Sequence, residues 1–264
     1  MSDVKLKIQT WGQRSLYLGV AASILSVLGG FRDQQTFFES YLLAFLICVS
    51  VPLGAMVILL VHCLSHGAWG FVIRKYAVPA VGMLSFMAIL FLPIFLGMKH
   101  LYHWMDAETM ATDSILQQKA GFLNRDFWIL RSVFYFVVWS LVSAFMIRKS
   151  NKLIDDTSDR SRQSLQGAAG VSLLLFVFTM SFAAFDWSMS LEPHWFSTMF
   201  GILTVIGQAL FAMTFLIVVV RHFSADDYLK DPKSANGFHD LGNLTLALVM
   251  LWMYMSFSQF FIIW

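Results

Sequence analysis

The stretch Phe182–Gly201, FAAFDWSMSLEPHWFSTMFG, places three ionisable side chains, Asp186, Glu192 and His194, inside a strongly apolar sequence. An unpaired carboxylate in hydrocarbon is costly, so an acid at the edge of a membrane span is normally paired, protonated or turned towards water. The stretch also joins one apolar run to the next. It therefore predicts two membrane helices whose connection carries acids with a functional or ion-pairing role.

The composition of the whole chain is that of a membrane protein. It is 58% hydrophobic, 16% aromatic and 13% charged, with a mean hydropathy of +0.68, well outside the range of soluble domains. The formal net charge of +2 gives no basis for binding nucleic acid. Cys48 and Cys63 form neither a CxxC nor a CxxCH pattern, which disfavours attached haem, zinc and iron–sulfur sites in this chain.

Seven apolar windows are long enough to cross a bilayer, which takes about 20 helical residues. They lie near residues 12–30, 40–63, 78–98, 127–147, 167–187, 196–220 and 241–264. The predicted fold is all-α: a polytopic transmembrane helical bundle of about seven spans, forming a single domain over residues 1–264. The first window is the weakest because Gln13 and Arg14 stand at its start. It lacks a small-x-small cleavage site and is expected to be retained.

Lysine and arginine fall unevenly on the two sides of these spans, and cytoplasmic loops keep the excess. The N-terminus is therefore predicted to be cytoplasmic, with segments 31–39, 99–126 and 188–195 on the outer side. The poorer side carries Arg32, Lys99, Lys119 and Arg125. The richer side collects Lys5, Lys7, Arg14, Arg74, Lys75, Arg148, Lys149, Lys152, Arg160, Arg162, Arg221, Lys230 and Lys233.

The fifth window carries Ser172, Thr179 and Asp186 at seven-residue steps, which stacks them along nearly one helix face. Such a row could line a water-filled path. Alternatively, the two hydroxyls join neighbouring helices through hydrogen bonds worth roughly 1 kcal/mol or less. Asp186 needs a cation or water in either case.

Histidines flank the spans on the basic side. His62 and His66 stand one helical turn apart at the end of the second window, and His239 and Asp240 stand at the entrance of the last window. No second His pair or third ligand accompanies His62 and His66, so neither a metal site nor a haem b site is expected. Tyr254 lies in the outer half of the last window.

Two hypotheses account for these polar side chains. In the first, Asp186 or Glu192 forms a structural ion pair with Arg131 or Lys119, which are predicted to lie at the same depth. In the second, the polar groups form a proton pathway across the membrane. The members of that candidate pathway are Asp186, Glu192 and His103 outside, Thr179, Ser172 and Tyr254 within, and His62, His66, His239 and Asp240 inside.

Five segments, in order, resemble one protein family. The chain is similar from about residue 40 onward to the F subunit of bacterial alternative complex III, a quinol:electron-acceptor oxidoreductase, and this subunit is related to polysulfide-reductase-type membrane proteins. The segments are HCLSHGAWGFVIRK (62–75), FLPIFLGMKHLYHW (91–104), KAGFLNRDFWILRSVFYFVVW (119–139), FAAFDWSMSLEPHWFSTMFG (182–201) and HDLGNLTLALVMLWMYMSFSQFFIIW (239–264).

The resemblance implies a place in a larger assembly in the bacterial inner membrane. Its expected partners are a second, similar membrane subunit that binds quinol, an iron–sulfur protein, a multihaem cytochrome c, small membrane anchors and a terminal oxidase. Quinone, haem c and iron–sulfur clusters would then sit in those partners, and this chain would bind no redox cofactor. Its implied role is to brace the membrane arm and to offer a proton pathway. Family members have about ten spans, so seven would lack the C-terminal helices of that pattern.

A second class of function stays open at this point. Buried acids and polar helix faces are equally natural in a stand-alone proton-coupled transporter or channel. A quinone ring among Trp187, Met189 and Trp195 is a further alternative, although in a chain with 26 Phe and 15 Met such residues usually pack or face lipid. The presence or absence of haem and iron–sulfur partners separates a complex subunit from a transporter.

Overall fold

A computed structural model describes residues 2–155, 158–223 and 232–263 of the chain. Over these residues the fold is an all-α helical bundle without strands. The long helices are α1 (Ser2–Gly30), α2 (Gln34–Ser65), α3 (Ala68–Gly82), α4 (Leu84–Leu101), α7 (Arg125–Asp155), α8 (Asp159–Trp187), α9 (Phe200–Phe223) and α10 (Pro232–Ile263). Two short helices, α5 (Ala107–Thr112) and α6 (Ser114–Lys119), and two 3-10 turns, His103–Met105 and Met189–Leu191, complete the described elements.

Six of these helices are long and apolar enough to cross a membrane, one fewer than the sequence predicts. They correspond to Gln34–Ser65, Leu84–Leu101, Arg125–Lys152, Asp159–Leu191, Phe200–Phe223 and Ala235–Ile263. The predicted first span, 12–30, lies in α1 and is helical, but it is not among the six. Gln13, Arg14 and several small or polar residues dilute its apolar content. The third predicted span, 78–98, begins within α3 instead of at the start of a helix.

α3 and α4 are consecutive helices joined by a bend at Met83. Met83 separates them but keeps right-handed helical angles, with φ −73° and ψ −11°. Pro79 lies one turn before this bend, and a proline removes a backbone donor and crowds the preceding turn, which is a usual cause of a kink. α3 therefore packs on α2, α9 and α10, while α4 leans towards α2 and α7.

The core is a ring of four helices, α2, α4, α7 and α8, each packed against the next. Aromatic side chains fill the ring at the level of Phe91, whose ring centroid lies 4.6 Å from that of Trp187 and 5.8 Å from that of Trp128. Trp139 and Trp187 meet edge to face at 5.6 Å, a favourable geometry for two rings. This aromatic cluster fixes the relative positions of α7 and α8.

The remaining spans pack outside this ring. α9 lies against α2 and α8, α10 lies against α3 and α9, and α1 runs along α2 and α9. α2 and α9 approach most closely at Gly54, where an added Cβ would lie 2.0 Å from the Gln208 carbonyl oxygen. Such a position requires glycine, because only a hydrogen fits between the two backbones. The apolar window of α10 has no buried residues within the chain.

The bundle has two chemically different ends. We call the end formed by 62–75, 148–152 and 159–166 the basic end. The opposite end, formed by 102–124 and 188–199, is the loop end. α2 and α3 meet at the basic end through His66 and Gly67 alone, and His66 adopts the left-handed conformation with φ 51°. At the loop end Asp33, Asp106 and Asp113 cap the starts of α2, α5 and α6 with their carboxylates.

Candidate functional site

Asp186 is the centre of the most strongly connected polar cluster that the structure describes. Its residue exposure is 0%, and its carboxylate is paired with Arg131 through both oxygens. Arg131 Nε donates to Asp186 Oδ2 at 2.8 Å, and Arg131 Nη2 donates to Oδ1 at 2.7 Å. This two-point geometry is the strongest form of a carboxylate–guanidinium contact. The structure therefore brings together one of the ion pairs proposed from the sequence.

Other groups complete the surroundings of the pair. The Tyr135 hydroxyl donates to Asp186 Oδ2 at 2.6 Å, and Arg131 Nη2 also donates to the Phe122 carbonyl at 3.1 Å. The Arg131 guanidinium carbon lies 3.8 Å from the centre of the Phe122 ring and 4.3 Å from that of Phe127. Arg131 thus joins α8 to α7 and to the loop before it, with both charges compensated inside the chain.

The end of α8 is held in place by aromatic donors from the surrounding elements. Trp128 Nε1 donates to the Asp186 carbonyl at 2.8 Å, Tyr102 Oη donates to the Trp187 carbonyl at 3.2 Å, and Trp104 Nε1 donates to the Ser190 carbonyl at 3.1 Å. A helix C-terminus leaves backbone carbonyls without intrahelical partners, and these side chains donate hydrogen bonds to carbonyls there. The cluster consequently joins α4, α7 and α8 at one point.

We predict that Tyr135→Phe lowers the free energy of unfolding by about 1.5–3 kcal/mol, the usual contribution of a hydrogen bond to a charged group. The Asp186 carboxylate would lose its neutral donor but keep Arg131. Unfolding of the purified protein by denaturant in detergent measures the loss. Tyr17→Phe is the matched control, because the Tyr17 ring is 72% exposed and should change stability by less than about 0.5 kcal/mol. Equal free energies of unfolding for Tyr135→Phe and Tyr17→Phe would show that the hydrogen bond from Tyr135 to Asp186 does not stabilise the fold.

The other outer candidates do not join this cluster. Glu192 and His103 are exposed. Lys119 Nζ donates to the Pro193 carbonyl at 2.5 Å and so ties the two outer loops together. His194 Nε2 contacts Asp113 Oδ2 at 2.6 Å. Desolvation raises the pKa of the Asp113 carboxyl, but the Ile115 and Leu116 N–H groups and His194 outweigh it, so its pKa lies below the ordinary 3.8.

The polar row on α8 is present but interrupted. Thr179 is buried, accepts from Trp139 Nε1 at 2.9 Å and donates to its own helix at the Leu175 carbonyl. An indole N–H donates only, so it cannot pass a proton onward by exchanging roles. Ser172 is buried two turns further along, beyond the fully buried Phe176. The row therefore follows one face, as the seven-residue spacing predicts, with apolar packing between its members.

The His62 and His66 side chains lie together at the basic end. His62 is 7% exposed and stands between the rings of Trp69 and Phe71, with centroid distances of 5.4 Å and 5.1 Å. His66 Nδ1 lies 3.3 Å from Gln166 Nε2. Both His Nε2 atoms are buried without a hydrogen-bond partner. Both residues line a cavity of about 830 Å³.

The candidates on α10 lie outside the bundle interior. His239 and Asp240 are exposed, with His239 Nδ1 3.7 Å from Asp240 Oδ1. The Tyr254 side chain is 65% exposed. α10 packs on α3 and α9 only at its inner face, so Tyr254 does not continue the row formed by Ser172 and Thr179 on α8. Whether the polar face of a membrane helix is exposed or buried can be determined only when the helices that pack against it are known.

Several residues of the two clusters escape sequence reasoning. Trp128 and Phe122 contact the ion pair, and Arg74 and Arg162 line the basic cavity. Trp128 precedes Arg131 by three residues, so a shared helix face was the available signal. Within the part of the chain that the structure describes, no three His, Cys, Asp or Glu side chains group as metal ligands. The expectation that this chain binds no metal or cofactor stays a prediction.

No family model matches the chain, and no curated protein matches it. A functional assignment therefore depends on the geometry described above and on the resemblance of the five segments.

Proposed function

We propose that the protein is a non-redox integral membrane subunit of a quinol-oxidising respiratory complex of the alternative complex III type. Its main role in this proposal is to brace the membrane arm, meaning that it holds a rigid helical bundle against which other subunits pack. The observation that carries the proposal is the Arg131–Asp186 pair, whose charges are compensated entirely within the chain. The matching order of the five segments supports the choice of complex.

The geometry of the pair favours a bracing role over transport. Both Asp186 carboxylate oxygens already accept from Arg131, and one also accepts from Tyr135. A transport site for a substrate or ion needs groups that are free to change partners during the cycle. A buried, two-point pair that joins α7 to α8 instead resists such changes, because breaking it leaves an uncompensated charge.

The proposed partners follow from the resemblance. They are a similar membrane subunit that binds quinol, an iron–sulfur protein, a multihaem cytochrome c, small membrane anchors and a terminal oxidase, all in the bacterial inner membrane. The apolar window of α10, which has no residues buried within the chain, supplies a surface long enough for a neighbouring membrane helix. Quinone, haem c and iron–sulfur clusters would be held by these partners.

A proton pathway is the second part of the proposal. It is favoured by one observation: Asp186, Thr179 and Ser172 share a face of α8 that leads from the loop end towards the cavity containing His62 and His66. In this row the Trp139 indole N–H donates a hydrogen bond to Thr179 Oγ1. Proton transfer through the row would therefore require Trp139 to move away from Thr179.

Purification from native membranes tests the assignment. We expect an affinity-tagged chain, extracted in mild detergent, to carry c-type haem absorbance and iron–sulfur paramagnetic signals in a fixed ratio to itself. The matched control is an unrelated tagged membrane protein extracted from the same membranes in the same detergent. Recovery of the chain alone, folded but without haem or iron–sulfur signals, would contradict membership of the complex and favour a stand-alone transporter or channel.

A further inference from the structure

The cavity at the basic end has a charge pattern that the proposed function does not use. It has a volume of about 830 Å³ and lies between the end of α2, the start of α3, the end of α7 and the start of α8. Among the residues that the structure describes, its lining includes three cationic side chains, Arg74, Lys75 and Arg162, and no acidic one. A concave, single-sign lining of this size is typical of a ligand site for an anion.

Arg74 is positioned by neutral partners. Its Nη2 atom donates to Ser150 Oγ at 2.6 Å and to Asn151 Oδ1 at 2.8 Å. These bonds orient the guanidinium without cancelling its charge, because a hydroxyl and an amide carbonyl carry no net charge. No carboxylate of the described residues pairs with Arg74, so it presents an oriented positive charge to the cavity, as a preorganised anion site requires.

Two buried imidazole nitrogens lie next to the cavity without a hydrogen-bond partner. His62, although more than nine-tenths buried, has no hydrogen-bond partner at Nε2, and neither does His66. Buried polar atoms are nearly always paired, so these two nitrogens mark a shortage of hydrogen-bond partners in the residues around the cavity.

The cavity also has an apolar part to its lining. Phe71, Val78, Pro79 and Leu165 contribute to it, and the Phe71 side chain is 65% exposed. Val78 and Pro79 lie along α3 towards the membrane-spanning α4, so the apolar part of the lining continues in the direction of the bilayer. Contact with apolar side chains does not stabilise a free inorganic anion, whereas it does stabilise an acyl chain.

We propose that this cavity binds an anionic glycerophospholipid, with the headgroup phosphate between Arg74, Lys75 and Arg162 and the start of an acyl chain along Phe71 and Val78. Basic pockets between membrane helices on the cytoplasmic side are suited to anionic headgroups. The site would hold a lipid at the junction of α2, α3, α7 and α8. This proposal depends on the cavity alone and stands whether or not the chain belongs to a respiratory complex.

Native mass spectrometry of the delipidated full chain, titrated with phosphatidylglycerol, phosphatidylcholine or inorganic phosphate, tests the proposal. The variant is Lys75→Gln with Arg162→Gln, two exposed side chains whose loss spares the Arg74 bonds. We expect it to weaken phosphatidylglycerol binding about twenty-five-fold, since each of the two basic side chains near an anionic headgroup contributes roughly fivefold. The matched control is Arg14→Gln with Arg221→Gln, which removes the same charge from exposed positions outside the cavity.

Each other outcome overturns the proposal. Equal binding of phosphatidylglycerol and phosphatidylcholine would show that the headgroup charge is not recognised. An equal loss in the Arg14 and Arg221 control would assign the effect to diffuse surface charge. Displacement of phosphatidylglycerol by millimolar inorganic phosphate, with equal thermal protection by phosphate alone, would make this a phosphate site and not a lipid site.

Discussion

Replacing Asp186 by Asn is expected to lower the free energy of unfolding by about 3–5 kcal/mol, the usual cost of removing one partner from a buried ion pair. Asp186 is fully buried, and Arg131 is only 9% exposed. The variant leaves the guanidinium with an amide in place of a carboxylate at the point where α7 and α8 meet. Denaturant titration of the protein in detergent micelles, followed by circular dichroism, measures the change.

Two controls separate the ion pair from general effects at the loop end. Glu192→Gln removes an exposed acid from the same end and should change stability by less than about 0.5 kcal/mol. Arg131→Met combined with Asp186→Leu removes both charges and should recover much of the loss, because an apolar replacement leaves no buried charge unpaired. Wild-type stability in Asp186→Asn would refute the bracing role of the pair.

The same variant distinguishes bracing from proton conduction in membranes. If Asp186 braces the assembly, Asp186→Asn should reduce the amount of assembled complex while the protons taken up per electron stay constant. If Asp186 carries protons, assembly should persist while that ratio falls. Measuring haem content and proton uptake on the same vesicles separates the two outcomes.

Gly54→Ala is expected to cost at least about 1–3 kcal/mol, the range for overpacking a close contact. The new Cβ would lie 2.0 Å from the Gln208 carbonyl oxygen and 2.6 Å from the Ala212 Cβ. Neither atom belongs to a flexible side chain, so the clash is relieved only when α2 and α9 move apart. The denaturation midpoint in detergent should fall accordingly, and α9 should become more accessible to protease.

Gly170→Ala supplies the matched control for this substitution. Gly170 also lies inside a membrane helix, α8, but the nearest atom to its added Cβ is Leu64 Cδ2 at 3.8 Å, an ordinary contact. Alanine has the higher helix propensity by about 1 kcal/mol, so Gly170→Ala should be neutral or slightly stabilising. Equal losses in both glycine variants would mean that glycine acts through backbone flexibility and not through close packing.

Hydropathy and residue spacing predict most of the helical architecture, because a membrane helix must satisfy its own backbone and shield it with apolar side chains. Six of the seven predicted windows correspond to apolar spans, with shifts of up to eight residues at their ends. The bend at Met83 was not predicted, because the hydropathy window 78–98 runs across it. The bend separates two helices that pack against different neighbours, and hydropathy carries no information on those neighbours. The window 12–30 is helical but is not among the six spans, because polar residues near its start offset its apolar half.

The candidate site could be predicted only in part. Depth along the membrane normal follows from position in the sequence, so Arg131 and Asp186 were predicted at one level and are in contact. Which helices are neighbours does not follow from one sequence, and for this reason Tyr254 was placed with Thr179 although it lies on the exposed face of α10. The basic cavity combines side chains from four helices and was beyond the reach of spacing arguments.

The two-residue connection at His66 and Gly67 has a consequence for biogenesis. So short a link holds the end of α2 and the start of α3 together, and the left-handed backbone of His66 turns the chain at once. α3 has 15 residues and is not among the helices long enough to cross a membrane, so during synthesis its placement depends on α2, the span to which it is tied. Arg74 and Lys75, in the middle of α3, favour a position near the polar surface of the bilayer over one in its hydrocarbon core.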